Sequence, residues 1–401
     1  MMNTEPDLRP LAGLRVIEVG QLLAGPFTGT ILGYFGAEVI KVEPPEVGDP
    51  IRGWREVRDG TSLWWASLSR NKKCITLDLK TPKGQEVLKK LANTADVFVE
   101  NFRPGTMEKW GIGPDTFKEE NPGLIYARIS GYGQTGPAAS KAGFASVCEA
   151  FGGFRYVNGF PGEVPVRPNI SIGDTLAGIH AALGVLLAYI GRQKSGQGQV
   201  VDVAIFEGLF NLLEAVIPEY SGAGIVREPS GTAITGIVPT NTHRCKDGKH
   251  IVIGANTNSM FKRLAKAMDK PEMGDDSRFA ENADRVANQK EIETIIESWT
   301  LQINSKEALE ALDVAGVAAG PIYSVKDMFE DEQYRARELF QEVSIDGKPL
   351  TIPAIIPRLS RTPGKTDFPG SKLGAHNEEV LQNILGYTEQ EIADLKTEKI
   401  I

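Results

Sequence analysis

Between residues 15 and 129 short β-branched runs alternate with helical stretches, a rhythm that few folds accommodate. Arg15–Val19 has strand character, Pro26 opens a helix that reaches Phe35 where Gly36 stops it, and Glu38–Val42 is a second strand. A helix inserted between two strands is a crossover, so the strands are parallel. The pattern then repeats with strand Cys74–Asp78, amphipathic helix Pro82–Asn93 and strand Asp96–Glu100. Short helices at Gly105–Trp110 and Pro114–Asn121 precede the strand Leu124–Ile129. The expected class is α/β with a doubly wound sheet, and ligands belong beyond the carboxyl ends of its strands.

Asp174 stands where a glycine loop meets a long apolar segment, Leu176 to Ile190, whose one clearly polar member is His180. The continuity of that segment predicts a buried helix. A lone acid at its start has a plain explanation: an N-cap accepting hydrogen bonds from first-turn amides. Beyond it come a turn, Lys194–Gln199, the strand Val200–Ala204, and a second helix from Phe206. A smaller unit comes next, with a hairpin His243–Gly254 around Asp247-Gly248 and helices near Met260–Met268, Lys290–Trp299 and Ser305–Ala315. Proline-rich residues Pro349 to Pro369 suggest an extended strap, and helices Glu378–Leu385 and Glu389–Lys396 close the chain. The expected division is a large domain over 1–205, a linker over 206–224, a small domain over 225–325, and a segment 326–401 that completes the large domain.

Composition removes several function classes. A formal net charge of −8 argues against nucleic-acid or anionic-membrane partners. Cys74, Cys148 and Cys245 are far apart and form no CxxC pair, so each is expected to be a small buried hydrophobe. His180, His243, His250 and His376 lack metal-ligand spacing, so no metal is expected. Residues 1–7 show no signal pattern and no apolar run reaches membrane-spanning length, so a cytoplasmic protein is expected. GxSxG and Walker A motifs do not occur. Gly131-Tyr132-Gly133-Gln134-Thr135-Gly136 matches GxGxxG after a strand, but Pro137–Gly143 has loop character where the dinucleotide fingerprint needs a helix. A tight glycine loop is the plainer reading, and an NAD(P)-dependent oxidoreductase stays open beside it.

There remains a cationic, amide-bearing set: Arg70-Asn71-Lys72-Lys73, Lys80 and Asn101-Phe102-Arg103-Pro104-Gly105. The last group comes directly after a strand, where an amide, an aromatic face and a guanidinium could hold adenine and phosphates. A capped loop with a surface arginine is the alternative.

Read together, these residues resemble the class III CoA-transferases, the formyl-CoA transferase and carnitine CoA-transferase group. The resemblance spans nearly the whole chain. It runs through Ala24-Gly25-Pro26, Gly36–Glu43, Asn71-Lys72 leading to Leu77–Lys80, Val99–Gly105, Gly173-Asp174, Gly196–Gln199 and Leu373–Leu381. It implies that Asp174 is the nucleophile, forming an aspartyl–acyl anhydride and then an enzyme–CoA thioester. It implies CoA contacts at Leu77, Lys80, Asn101, Phe102, Arg103 and Lys109, with CoA thioesters as substrates and no permanently bound cofactor. A non-catalytic CoA-binding protein would share those contacts.

Departures from the family pattern bear on the acyl side. An adenine-region arginine of some members falls on Pro44, a four-glycine loop is reduced to Gly231 and Gly236, and the acid after Phe144 is replaced by Ala145. These differences imply acceptor recognition different from that of the formyl/oxalate enzymes, with formyl-CoA/oxalate or carnitine-type transfer within the same family as the alternative. The segment Phe144–Gly153, followed by Pro165-Val166-Arg167-Pro168, is similar to members that use succinyl-CoA and small dicarboxylic or hydroxydicarboxylic acids such as malate, citramalate or itaconate. Phe144, Arg167 and Gly236 are the candidate substrate-side residues, Arg167 as partner to a distal carboxylate. The resemblance further implies a Rossmann-like large domain, an inserted α+β domain, and two chains interlocked as a homodimer.

Overall fold

The computed structural model describes residues 7–401. They divide into two compact units: residues up to Phe154 with Pro168–Leu213 and Gln333–Ile401, and Arg155–Arg167 with Glu214–Glu332.

The first unit is built on six parallel strands: β1 (Arg15–Glu18), β2 (Glu38–Glu43), β3 (Lys72–Thr76), β4 (Val97–Glu100), β5 (Ile125–Ser130) and β6 (Val200–Ala204). Their spatial order is β3-β2-β1-β4-β5-β6. The chain winds outward from β1 to β3, then returns across it to β4, so the order of connection reverses between β1 and β4. That reversal opens the crevice where doubly wound sheets bind ligands. Val16 pairs with Val39 on one side and Val97 on the other, and alternate residues feed opposite faces.

Both faces are covered, as parallel sheets require. Ile17, Ile40, Ile75 and Phe98 bury against α2 (Pro82–Asn93) and the C-terminal helices Asn377–Asn383 and Glu389–Thr397. Val16, Val39, Val97 and Ile125 bury against α1 (Ala24–Tyr34) and the long helix treated below. Before the proline-rich strap, Phe340–Ile345 and Lys348–Pro353 pair antiparallel. This corrects the expectation of a strap from Pro349: its first residues belong to a hairpin. The turn is Asp346-Gly347, both at positive φ (47° and 80°), the geometry that suits a two-residue hairpin.

The second unit carries a three-stranded antiparallel sheet, Ala318–Pro321, His250–Gly254 and Thr240–Arg244 in spatial order. Its core includes Phe261, Leu264, Ile292, Ile296 and Leu312 from helices Asn258–Ala267, Gln289–Thr300 and Ser305–Val314.

Candidate active site

Three further helices of the first unit surround the candidate site. These are α3 (Thr106–Lys109), α4 (Ala145–Phe151) and α5 (Ile172–Ser195); α6 (Ile205–Phe210) packs behind them. The 24 residues of α5 are long and apolar enough to cross a membrane by length and composition, contrary to the expectation that no run reaches that length. Ala177, Ala181, Val185 and Ala188 instead bury one side of the helix in the core shared with α1 and the sheet. Gly196, at φ 72°, ends the helix by returning its N–H to the Arg192 carbonyl.

Asp174 is not an N-cap. The helix begins two residues earlier at Ile172, Ser171 occupies the cap position without a side-chain cap bond, and Asp174 lies half-buried inside the first turn. The Gly173 N–H instead meets Glu149 Oε1 of α4 at 3.5 Å. Glu149 is fully buried, and sequence spacing did not single it out as part of the site because nothing local shows that α4 faces this turn. Burial pushes the Cys148 thiol up to about 11, and the negative charges of Asp174 and Glu149 add to the shift. The two carboxylates therefore share one electrostatic neighbourhood at a helix N-terminus, which favours the ionised form of an acid placed there.

The approach of α5 to α1 depends on Gly178. A side chain there would meet the Ala24 carbonyl at 2.9 Å and Phe27 Cβ at 3.1 Å. Thr28 Oγ1 donates to the Gly178 carbonyl across the same contact. One helical turn beyond the nucleophile candidate, the backbone of α5 is thus locked to the first turn of α1.

Ahead of α1, the loop after β1 is held from two sides. Asn101, just past β4, accepts from the Gln21 N–H and donates to the Gln21 carbonyl, each at 2.8 Å, so it bridges the reversal point between β1 and β4. A Cβ at Gly20 would lie 2.9 Å from the Asn101 amide oxygen, hence glycine there. From below, both Asp49 oxygens accept the Leu22 N–H at 3.1 Å, and Leu22 adopts φ 64°. Asp49 pairs with Lys41 (2.9 Å), Lys41 with Glu18 (3.1 Å), and Glu18 with Lys72 (2.9 Å), all buried. Burial opposes the Lys41 charge, but Asp49, Glu18 and Glu43 outweigh it and raise its pKa. For Lys72 burial prevails over Glu18 and the pKa falls.

The other expected CoA contacts lie at the same edge of the sheet. Phe102 packs edge-to-face on Trp110 with ring centroids 5.4 Å apart, and its N–H donates to Glu100. Arg103, on the β4–α3 connection, and Lys109, the last residue of α3, are both exposed. Lys80 is exposed after β3, whereas Leu77 is buried in the core and offers its surroundings shape rather than a reaching side chain. From β3 to β4 is three strand spacings, about 14 Å, an extended site of the kind a long nucleotide-bearing ligand needs. Of these residues, Asn101 has its amide spent on Gln21, so its evident work is to brace the loop.

On the substrate side, Phe144 stands at the N-cap position of α4 and is 68% exposed. Arg167 and Gly236 belong to the second unit; both are exposed, Gly236 at φ 80°. The Gly131–Gly136 loop opens no helix; residues 131–144 are irregular up to α4, and the Gln134 N–H donates to Asp202. This lacks the strand-to-helix turn of a dinucleotide fingerprint. Among the described residues no cluster of His, Cys, Asp and Glu suits a metal ion.

Known proteins are similar to this chain over nearly its whole length. The model of CoA-transferase family III matches residues 11–377. The succinyl-CoA–D-citramalate CoA-transferase of Chloroflexus aurantiacus is 47% identical over the full length of both chains. The alpha subunit of the succinyl-CoA–L-malate CoA-transferase of the same organism is 41% identical, covering 100% of this chain and 94% of the relative. A crystal structure of a CAIB/BAIF family protein from Brucella suis superposes with a TM-score of 0.82 at 33% identity, covering 92% of this chain and 98% of that one. The chain belongs to CoA-transferase family III, and it is a CoA-transferase.

Proposed function

We propose that this enzyme moves CoA from succinyl-CoA to a small dicarboxylic or hydroxydicarboxylic acid, citramalate and malate being the first to try, with Asp174 as covalent carrier. The observation that carries this reading is Asp174 in the first turn of a 24-residue helix, beside a second carboxylate and next to the braced loops of the sheet's reversal point. The succinyl-CoA relatives supply the substrate class.

In this mechanism an Asp174 oxygen attacks the thioester carbonyl; the C–S bond breaks, giving an aspartyl–succinyl anhydride and CoA thiolate. The thiolate attacks the aspartyl carbonyl, succinate leaves as its carboxylate, and an aspartyl–CoA thioester remains. The acceptor carboxylate then attacks that thioester and expels the thiolate. The thiolate attacks the acceptor carbonyl of the new anhydride, releasing acceptor-CoA and free Asp174. Each step exchanges acyl bonds of similar reactivity. First-turn amides of α5 favour both the resting carboxylate and the oxyanions that develop on it. Lys80, Arg103 and Lys109 serve the phosphates in this reading, and Phe102 the adenine or pantetheine end.

We take the active form as an interlocked homodimer in the cytoplasm. Ile179, Leu183, Leu187 and Ile190 form an exposed apolar stripe along α5, which supports burial against a second chain. Incubation with succinyl-CoA and a panel of acids, with mass spectrometry of the products, tests the reaction. Asp174→Ala should lower exchange by about 10⁴-fold or more. Hydroxylamine should convert residue 174 of the wild type to a hydroxamate. Undiminished exchange in Asp174→Ala would falsify the covalent role.

A further inference from the structure

A cavity of about 430 Å³ in the first unit adjoins the first turn of α5 and is not used by the CoA contacts above. Its walls include Ser171 and Thr175, the residues that flank Asp174 by three and one positions, with Leu23 and Phe27 of α1 opposite. Its charge is one-sided. Arg55 and Arg70 line it and no carboxylate does, whereas each of the four other cavities described among these residues includes at least one acidic side chain.

Arg70 is 1% exposed, yet its guanidinium meets neutral acceptors alone: the Ser67 carbonyl and hydroxyl, the Pro353 carbonyl and Thr366 Oγ1. A buried cation without a counter-ion is costly and calls for an anion. Burial lowers its pKa to about 10, which leaves it charged at neutral pH. Arg55 lies over the Trp64 ring at 4.6 Å, adopts φ 60°, and has no ion-pair partner among the described residues. Around these two charges the walls are apolar: Leu23, Phe27, Leu68, Trp64 and Ile355.

We infer that this cavity receives the distal carboxylate of a dicarboxylic acyl group, with Arg55 and Arg70 as specificity-determining residues. The inference rests on the CoA-transfer reading and deepens it. The apolar walls match the methylenes, the arginines match the terminal anion, and Asp174 is in the same helical turn as the rim, so the near carboxyl group meets the nucleophile. Arg167, the sequence-based candidate for this role, lies in the other unit.

The test compares two self-exchange reactions of equal chain length: succinyl-CoA with isotopically labelled succinate, and butyryl-CoA with labelled butyrate. The wild type should favour succinate. In Arg55→Gln, an exposed position that cannot unfold the core, the succinate-to-butyrate ratio of kcat/KM should fall about tenfold, the worth of one charge-assisted hydrogen bond. Arg70→Gln should lower the ratio by about tenfold to a hundredfold. Arg70→Lys should recover part of it while leaving the melting temperature lower. A wild type that treats the two acids alike, or variants that leave the ratio unchanged, would overturn the subsite while leaving CoA transfer intact. Exchange of neither acid, nor of any other, would overturn the CoA-transfer reading itself.

Discussion

Two charged regions meet at the start of α1 and behave in opposite ways. Around the loop Gly20–Leu22 the buried lysines are answered, Lys41 by Asp49 and Glu18 and Lys72 by Glu18, and the neutral Asn101 amide is bonded to Gln21. In the cavity between Leu23 and Ser171, Arg55 and Arg70 face apolar walls without a carboxylate. The first region is closed electrostatically and fixes backbone, which suits a site for the invariant CoA moiety. The second is open, which suits the part of the substrate that differs between family members. What separates scaffold from specificity here is thus not the presence of buried charge but whether the protein neutralises it.

The largest break in this comparison should come from Glu18. Glu18→Ala leaves Lys72 without a carboxylate and Lys41 with one fewer, both fully buried. Breaking a buried pair in this way costs about 3–5 kcal/mol, visible as a lower denaturant midpoint in equilibrium unfolding. A change below about 1 kcal/mol, within the range of an exposed pair, would mean that the network carries no structural weight. Asn101→Ala comes next. It removes both bonds to Gln21 and should cost about 1–3 kcal/mol. Because the loop rather than the chemistry is disturbed, KM for the CoA thioester should rise more than kcat falls. The reverse split would place Asn101 on the reacting groups.

Much of the fold was legible because its strands are short β-branched runs and its helices carry plain stop signals, Gly36 and Gly196 among them. The run Arg70-Asn71-Lys72-Lys73 shows where legibility ended. In sequence it is one cationic cluster; in the structure its members part company. Arg70 turns to the cavity, Asn71 holds Gly33 and the strap at Lys365 and Asp367, Lys72 joins Glu18, and Lys73 pairs with Glu38 and Glu379. Strand alternation sends neighbours to opposite faces, and several of the partners come from nearly 300 residues away. The hairpin at Asp346-Gly347 is different: its turn signal was present and was overshadowed by the prolines after it. Glu149 had no such signal, since its importance lies in a packing of α4 on α5 that no local spacing encodes.

The smallest effect expected is also the most direct report on the proposed nucleophile. Cys148 is buried, its Sγ donates to the Gly131 carbonyl at 3.3 Å, and its pKa stands near 11 chiefly through burial, with Asp174 and then Glu149 adding negative charge. At pH 8 the thiolate is about one part in a thousand, so native enzyme should resist iodoacetamide at this position. Cys74, raised to about 12 mainly by burial, should resist it too. Asp174→Asn deletes one of the two charges without changing volume, so the Cys148 thiol should titrate at lower pH and label faster as pH is raised. Site-resolved labelling by mass spectrometry between pH 8 and 10 reads this shift. Equal labelling profiles for wild type and Asp174→Asn would mean that residue 174 carries no charge at rest, and a neutral acid there could not attack a thioester.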